Sequence, residues 1–294
     1  MTTKSILIVG GGFIGMYGAR KLQRLTRSGH TVTLVNPENF MQYQPFLPEV
    51  ASGTIDPRAV VVPLRQVLRR TRLLIGEVER VDHAERLATI HMPDGTTHRE
   101  PYDILILGTG SRSRTLPIPG LAEHGIGFKT VTEAIYLRNR VLSALDTAAQ
   151  THDEGLRREL LTFVFVGGGY AGVEALAELE DLARGVLKLY PTLGTPDLRW
   201  VLVEAADRIL PELGEDLADY ARERLEARGI EVVLGTRLES ATGGQIVLSD
   251  GQRFRAYTLV WTAGVRASPL PRRSGLPTDD AGRIVADDCL RVVG

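Results

Sequence analysis

Two stretches of the chain repeat one order of residue types: a short apolar run, a cluster of glycines, and apolar residues resuming at helical spacing. They occupy residues 5–20 and 163–175. An apolar run that breaks into glycines in this way predicts a β-strand, a tight turn and an α-helix. Because each repeat is followed by another β-rich apolar run, we expect two βαβ units and an α/β fold.

The glycine spacing in both repeats fits a dinucleotide-binding turn. In such a turn the first glycine permits the bend, the second lets the backbone approach a pyrophosphate, and the third lets the helix pack on the strand. The glycines in these positions are Gly10, Gly12 and Gly15 in the first repeat, and Gly167, Gly169 and Gly172 in the second. One match alone is explained equally well by a structural glycine turn. Two matches predict two dinucleotides that face each other, as an electron-transferring flavoenzyme requires.

The residue that ends the second strand of each unit is expected to contact a ribose. This position usually carries an acid, but the first unit has Asn36, which can bond a diol without the strength of a charge. Glu38 is an alternative contact, and a simple turn at Asn36 is the structural alternative. The second unit has Glu204, whose charge would repel a 2′-phosphate and so favours NADH over NADPH, although Arg208 lies nearby. A plain strand-end acid remains the other interpretation of Glu204.

The segments between these units predict the rest of the fold. Residues 39–63 contain four prolines and predict an ordered loop with a short helix near 47–52. From Leu73 onward, short strands and turns predict an antiparallel meander that returns to a buried strand ending in small residues at 108–111. A helix is expected to begin with Thr132 as its cap and to continue to about Gln150.

Composition excludes several classes of function. The chain has 294 residues, enough for two domains, and its 35 basic and 36 acidic residues leave a net charge of −1, so we expect no nucleic-acid partner. The basic run at residues 69–72 is interpreted as a solvated helix face, with a role facing a membrane as the alternative.

The single cysteine, Cys289, excludes an intramolecular disulfide, and the scattered histidines predict no metal site. With no spanning segment evident, a cytoplasmic location is expected.

Three segments resemble one group of flavoproteins: PFLPEVASG at 45–53, VGGGYAGVE at 166–174 and VWTAG at 260–264. The chain resembles the flavoproteins with two dinucleotide-binding domains, and within them the type II NADH dehydrogenases, the non-pumping NADH:quinone oxidoreductases of respiratory chains. The resemblance covers nearly the whole sequence. It implies two Rossmann-like FAD/NAD(P)-binding domains of the glutathione-reductase type, each with an antiparallel meander.

The resemblance also implies the cofactors, FAD and NADH, and their contacts. The residues implied for FAD are Gly10, Gly12, Phe13, Ile14, Gly15, Asn36 at the ribose, Val78 near the adenine, Thr109, Gly110, Ser111 and Arg112, with Pro45 beside the isoalloxazine. Those implied for NADH are Gly167, Gly169, Tyr170, Ala171, Gly172, Glu204, Ala263, Gly264 and Val265. The implied domains are 1–117 for FAD, 118–267 for NAD(H) inserted into it, and 268–294 as a return towards the first.

Glu174 is the candidate catalytic side chain, at the junction of nicotinamide and flavin. Its alternative role is to stabilise a helix N-terminus as an acid in the first turn. In the implied reaction, hydride passes from NADH to the flavin and electrons continue to a quinone. The alternatives are a soluble diaphorase or ferredoxin-reductase-like flavoprotein, and a non-catalytic NADH-binding sensor.

The sequence departs from the family pattern at its end. It stops at Gly294, where the family adds a strand, a Gly-Asp motif for the flavin and a carboxyl-terminal domain. We therefore expect a partial chain that holds FAD weakly and does not reduce quinone by itself. The missing part would supply the membrane contact, on the inner face of the cell membrane, and the oligomeric state is left open, with a homodimer among the alternatives.

Overall fold

The computed structural model describes residues 2–293. Residue 1, the first of the predicted FAD domain, and residue 294, the last of the predicted third segment, lie outside the described residues. The strands are β1 (Ser5–Val9), β2 (Thr31–Asn36), β3 (Phe40–Gln42), β4 (Val61–Pro63), β5 (Arg72–Ile75), β6 (Glu77–Asp82), β7 (Leu87–His91), β8 (Thr97–Pro101), β9 (Ile104–Leu107), β10 (Ser111–Ser113), β11 (Gly125–Gly127), β12 (Thr162–Val166), β13 (Arg199–Val203), β14 (Ile230–Val233), β15 (Leu238–Ser240), β16 (Gln245–Leu248), β17 (Arg253–Arg255), β18 (Thr258–Trp261) and β19 (Val265–Ala267). The α-helices are α1 (Phe13–Leu22), α2 (Leu47–Ser52), α3 (Leu64–Val67), α4 (Leu121–His124), α5 (Val131–Gln150), α6 (Glu154–Leu160), α7 (Tyr170–Val186), α8 (Glu215–Ala227) and α9 (Leu270–Arg273).

The described residues form two compact units. The first contains residues 2–43, 61–112 and 265–293, and the second contains 44–60 and 113–264. The predicted boundaries put residues 44–60 in the first domain, whereas their contacts group them with the second unit. The reason is α2, which packs on α5 and α7 and buries Leu47, Val50 and Ala51.

A four-stranded parallel sheet in the order β5-β2-β1-β9 forms the core of the first unit. Its central strand β1 is buried from Ile6 to Val9, as expected for a parallel strand covered on both faces. The prediction that the meander begins at Leu73 was wrong, because β5 is the parallel edge strand and pairs with β2. The meander is β6-β7-β8 and follows Gly76, whose N–H donates to the carbonyl of Asn36 at 3.0 Å.

A five-stranded parallel sheet in the order β11-β18-β12-β13-β14 forms the core of the second unit. All of β12 is buried, and Phe163 stacks on Trp200 with 4.3 Å between ring centroids. The predicted cap of α5 at Thr132 was wrong: Thr130 is the cap. Its hydroxyl accepts from the N–H of Glu133, and the Glu133 carboxylate accepts from the N–H of Thr130, which completes a capping box.

The predicted internal duplication is confirmed by the topology. In each unit the central strand, a glycine turn, a helix and a second parallel strand are followed by a three-stranded antiparallel sheet, β6-β7-β8 or β15-β16-β17. A return strand, β9 or β18, then joins the other side of the central strand. Strands β3 and β4, and β10 and β19, form two further pairs. No helix within residues 2–293 has both the length and the apolar character needed to cross a bilayer.

Candidate functional site

Both glycine turns lie at a topological switch point of their sheet. The chain leaves β1 to form β2 on one side of it and returns as β9 on the other side. In the second unit, β13 and β18 flank β12 in the same way. The neighbouring loops therefore diverge at the carboxyl end of the central strand and leave a crevice. Ligands of open α/β sheets bind in such crevices.

Backbone hydrogen bonds fix both turns in the same way. The N–H of Gly10 donates to the carbonyl of Val35 at 2.8 Å, and the N–H of Gly167 donates to the carbonyl of Val203 at 2.9 Å. In each unit the turn is therefore tied to the neighbouring parallel strand before the helix begins.

The first and third glycines of each turn are required by the fold. Gly10 and Gly167 have φ values of +97° and +117°, which favour glycine. A Cβ atom at Gly15 would collide with the carbonyl oxygen of Gly10, and one at Gly172 with that of Gly167. These positions therefore allow the helix to start directly on the turn.

The second glycine of each turn has no such structural requirement. Gly12 and Gly169 have φ values of −73° and −76°, which other residues adopt readily, and a Cβ atom at either would meet no atom within 4 Å. No side chain within the described residues caps the helix that follows, so its first N–H groups remain available. Open space beside free N–H groups at the positive end of a helix dipole fits the phosphates of a dinucleotide.

Asn36 holds the first glycine turn from the end of β2. Its Oδ1 accepts from the N–H of Gly11 at 2.7 Å, and its Nδ2 donates to the carbonyl of Glu38 at 2.8 Å. The two partners fix the orientation of the amide, because one is a donor and the other an acceptor. One N–H and one lone pair of the amide remain for a ligand.

Glu204 holds the second turn with different chemistry. Its Oε2 accepts from the N–H of Gly168 at 2.6 Å, and its Oε1 accepts from the N–H of Ala206 at 2.8 Å. Both partners are donors, so a carboxylate satisfies them and an amide would not. The second turn therefore carries a fixed negative charge where the first carries a neutral amide.

The prediction that Glu174 is an acid in the first turn of its helix was wrong: it is the fifth residue of α7, beyond the first turn, and a second carboxylate approaches it there. Helix α2 packs on α7 and brings Glu49, whose Oε2 is buried without a hydrogen-bond partner within residues 2–293. Partial burial, followed by repulsion from Glu49 and Glu178, raises the pKa of Glu174. The side chain therefore tends to keep a proton that an ordinary surface glutamate would lose.

Over residues 4–293 the sequence matches the family of pyridine nucleotide-disulphide oxidoreductases. The chain belongs to that family. The type II NADH:quinone oxidoreductases Ndh and NdhA of Mycobacterium tuberculosis are each 33% identical to it, over 95% and 98% of this chain and 62% and 63% of their own. The structure of NDH2 from Plasmodium falciparum in complex with NADH has the same fold, with a TM-score of 0.91 at 21% identity, over 100% of this chain and 62% of that one. The chain thus spans about three-fifths of the length of these relatives.

These comparisons confirm the fold class and the resemblance predicted from the motifs. Members of the pyridine nucleotide-disulphide oxidoreductase family are named for disulphide chemistry, but this chain has only Cys289, which is exposed. No cysteine pair can therefore form within it. No group of three or more histidine, cysteine or acidic side chains within residues 2–293 is arranged to hold a metal ion.

The structure groups most of the other predicted residues around the ends of the central strands. In the first unit Phe13 and Ile14 are exposed at the start of α1, and residues 109–112 follow β9. The side chain of Val78 is buried, so only its backbone is available to a ligand. Arg112 forms an ion pair with Glu77.

The second unit shows the same grouping. Tyr170 and Ala171 are exposed at the start of α7, and residues 263–265 follow β18. Pro45 precedes α2 and belongs to this unit rather than to the first. The contacts of these residues with a cofactor remain predictions.

Sequence reasoning missed three groups that shape the turns. The middle glycines, Gly11 and Gly168, bind the strand-end side chains, and the hydroxyl of Thr262 donates to the carbonyls of Val166 and Gly167, at 3.1 Å each. The signal for the middle glycines was the unbroken triplet in both repeats. Thr262 lies in the segment VWTAG, but its contact with the turn was not predicted, because its partners Val166 and Gly167 are distant in sequence.

We expect Gly169→Val to remove dinucleotide binding at the second turn without loss of stability. The added side chain enters the open space and blocks the phosphates, so NADH affinity should fall by about 100-fold or more, as for loss of most of a phosphate contact. Gly172→Val is the matched variant. Its side chain meets the Gly167 carbonyl, so it should destabilise the fold by about 3 kcal/mol. NADH titration and thermal unfolding of both variants test this, and unchanged affinity in Gly169→Val would remove the second turn from the site.

Asn36→Asp should weaken FAD binding, although an acid is usual at this position. The carboxylate can accept from Gly11 but has no proton to donate to the exposed Glu38 carbonyl, so at pH 8 we expect about a tenfold loss of FAD affinity, as for loss of one hydrogen bond and repulsion between the two oxygens. Affinity should recover as the pH falls below about 4, the ordinary pKa of an aspartyl carboxyl, because a protonated carboxyl can donate again. Asn36→Ala, which loses both bonds without adding charge, should show no such recovery. Equal or tighter FAD binding by Asn36→Asp at pH 8 would contradict this account.

Glu174→Gln should stabilise the chain at neutral pH but not at acidic pH. Since the folded-state pKa of Glu174 is raised, the wild-type chain loses stability as the pH rises from below the ordinary carboxyl pKa through the raised value. The variant lacks this loss, so its Tm should exceed the wild-type Tm at pH 7.5 and equal it near pH 4. Glu223→Gln, on the exposed side of α8, is the control and should shift neither value. A Tm difference for Glu174→Gln that does not change with pH would refute the repulsion argument.

Proposed function

We propose that the chain is the dinucleotide-binding part of an FAD-dependent oxidoreductase that takes electrons from NADH and passes them to a quinone. The observation that carries the proposal is the open cradle beside Gly12 and its repetition beside Gly169. Two cradles with free helix N–H groups, each at a switch point, suit two dinucleotides rather than one.

The residues of the first unit fit the adenine half of FAD. The backbone at Gly12 and the start of α1 would hold the pyrophosphate, and the free lone pair and N–H of Asn36 would meet a ribose diol. Residues 109–112, which follow the return strand, would close the crevice on its other side. A neutral amide is sufficient here, because FAD carries no 2′-phosphate that must be rejected.

The residues of the second unit fit NADH. The backbone at Gly169 and the start of α7 would hold its pyrophosphate, and Glu204 would accept from the ribose hydroxyls with the lone pairs that Gly168 and Ala206 do not use. Its fixed charge would repel a 2′-phosphate at the same place. We therefore infer a preference for NADH over NADPH.

Bound FAD supplies the chemistry of accepting a hydride from NADH and releasing electrons to a second acceptor. The chain itself contributes orientation and a proton. Reduction of a quinone to a quinol takes the hydride equivalent and one further proton. Partial burial and the neighbouring carboxylates raise the pKa of Glu174, which favours the protonated carboxyl. We assign Glu174 that role, and it can be reloaded from solvent because the side chain is partly exposed.

The choice of acceptor draws support from relatives. The two relatives of Mycobacterium tuberculosis are named NADH:quinone oxidoreductases, and both are longer than this chain. A quinone is therefore proposed for the whole protein, and the dinucleotide chemistry for the residues described here.

Anaerobic titration of the chain with added FAD tests the function. NADH should bleach the visible flavin absorbance of the chain, and in the whole protein a quinone should restore it faster than ferredoxin does. NADPH should bleach it weakly, and Glu204→Gln should narrow the difference between the two nucleotides by about tenfold, as for loss of one charged contact. Bound flavin that NADH leaves unbleached would refute the redox function, and faster reoxidation by ferredoxin would favour the ferredoxin-reductase alternative.

A further inference from the structure

One residue beside the second glycine turn has a backbone conformation that its residue type rarely adopts. Leu210, in the loop between β13 and α8, has a φ of +48°, in the left-handed region that favours glycine. Such a conformation is strained for a leucine and persists only where the surrounding structure imposes it. Because strained residues cluster at ligand sites, the cause of the strain is informative.

Three features of the loop impose this conformation. The side chains of Ile209 and Leu210 are buried, with exposed fractions of 1% and 5%. The guanidinium of Arg208 donates to the carbonyl of Pro211 at 2.9 Å. The N–H of Leu213 donates to the carbonyl of Leu210, also at 2.9 Å. The loop is therefore closed on itself around the strained residue.

In this conformation the N–H of Leu210 is directed at the glycine turn. It donates to the carbonyl of Gly168 at 2.7 Å. A Cβ atom at Gly168 would lie 3.0 Å from Cγ2 of Ile209 and 3.2 Å from Cβ of Glu204, so the loop and the strand end pack directly against the turn. Both backbone groups of Gly168 are held, the N–H by Glu204 and the carbonyl by Leu210.

Holding the carbonyl of Gly168 fixes the direction of the N–H of Gly169. The two groups belong to one trans peptide unit, and in a trans unit they point in opposite directions. The N–H of Gly169 therefore points away from Leu210. It has no hydrogen-bond acceptor within residues 2–293, and it lies beside the open space that the proposed function gives to the phosphates.

The first glycine turn has no such contact. The N–H of Gly11 is held by Asn36, but no donor within residues 2–293 reaches the carbonyl of Gly11. This difference matches the two proposed ligands, because FAD stays bound whereas NADH enters in every cycle. A site that is already ordered binds an exchanging substrate more tightly, since no ordering is left to be done on binding.

We propose that Leu210 is a positioning residue of the second dinucleotide site: its N–H holds the carbonyl of Gly168 and thereby directs the N–H of Gly169 at the pyrophosphate of the nucleotide. The strained backbone keeps this N–H in place before the nucleotide arrives. The inference rests on the proposed function, which assigns the second turn to NADH.

Replacing one backbone amide by an ester tests this role without changing a side chain. Leucic acid, the α-hydroxy analogue of leucine, is introduced at position 210 by nonsense suppression, which removes the N–H and keeps the buried side chain. The chain, with FAD added, is titrated calorimetrically with ADP-ribose, which has the pyrophosphate but no nicotinamide and so transfers no hydride. We expect its affinity to fall about tenfold, as for loss of one hydrogen bond to a charged group, while the affinity for adenosine, which has no phosphate, should change by less than about twofold.

The same replacement at position 213 is the matched control. The N–H of Leu213 bonds within the loop, at a similar length, and not to the turn. Its removal reports any effect of loosening the loop alone, and ADP-ribose affinity should change by less than about twofold. Three results would each overturn the proposal: unchanged ADP-ribose affinity with the ester at 210, equal losses with the esters at 210 and 213, or equal losses for ADP-ribose and adenosine with the ester at 210.

Bleaching of the flavin by NADH is measured separately, so the two proposals fail in different ways. Selective loss of ADP-ribose affinity with the ester at 210, in a chain whose flavin NADH does not bleach, supports the positioning role and refutes the redox function. Normal bleaching with equal ADP-ribose affinity in all three chains supports the function and refutes the positioning role. A wild-type chain with no affinity for ADP-ribose would refute both.

Discussion

Each half of this fold depends on one close approach: the third glycine of the turn against the carbonyl of the first. Only a hydrogen atom fits between Gly15 and the Gly10 carbonyl, and the same holds for Gly172 and Gly167. This contact lets a helix begin directly on the end of the central strand. The helix N–H groups and the positive end of its dipole then lie in the crevice at the switch point.

The same backbone frame carries different electrostatics in the two halves. Both strand-end side chains bind the middle glycine of their turn, Gly11 or Gly168. The second partner differs: Asn36 donates to a carbonyl, and Glu204 accepts from an N–H. A backbone group two residues further along thus determines whether an amide or a carboxylate can be held in each turn. The chemistry of the strand-end side chain is therefore coupled to the local path of the chain.

Local signals predicted the elements but not the groupings that depend on distant contacts. The buried strands and glycine turns were predictable, because their apolar runs and glycines are contiguous. The strand β5 was assigned to the meander, because pairing with β2 is not encoded in its own residues. The helix α2 was predicted, but its packing on α5 and α7 was not. The cap of α5 is Thr130 rather than the predicted Thr132, because Glu133 lies three residues after Thr130, as a capping box requires.

Net charge was the least informative quantity in the sequence, because it averages over surfaces that the fold separates. The basic run at residues 69–72 predicted a solvated helix face or a role facing a membrane, but Arg69 and Arg70 follow the end of α3 at Val67, and Arg72 begins β5. The cations Arg20, Lys21, Arg24 and Arg27 are spread over α1 and the 3-10 helix that follows it. Gln23 joins the two sets through backbone groups. Electrostatic attraction acts over about 10 Å in physiological salt, so charges gathered within that range act together on a partner. The relevant quantity for association is thus the charge on one face, which requires the tertiary structure.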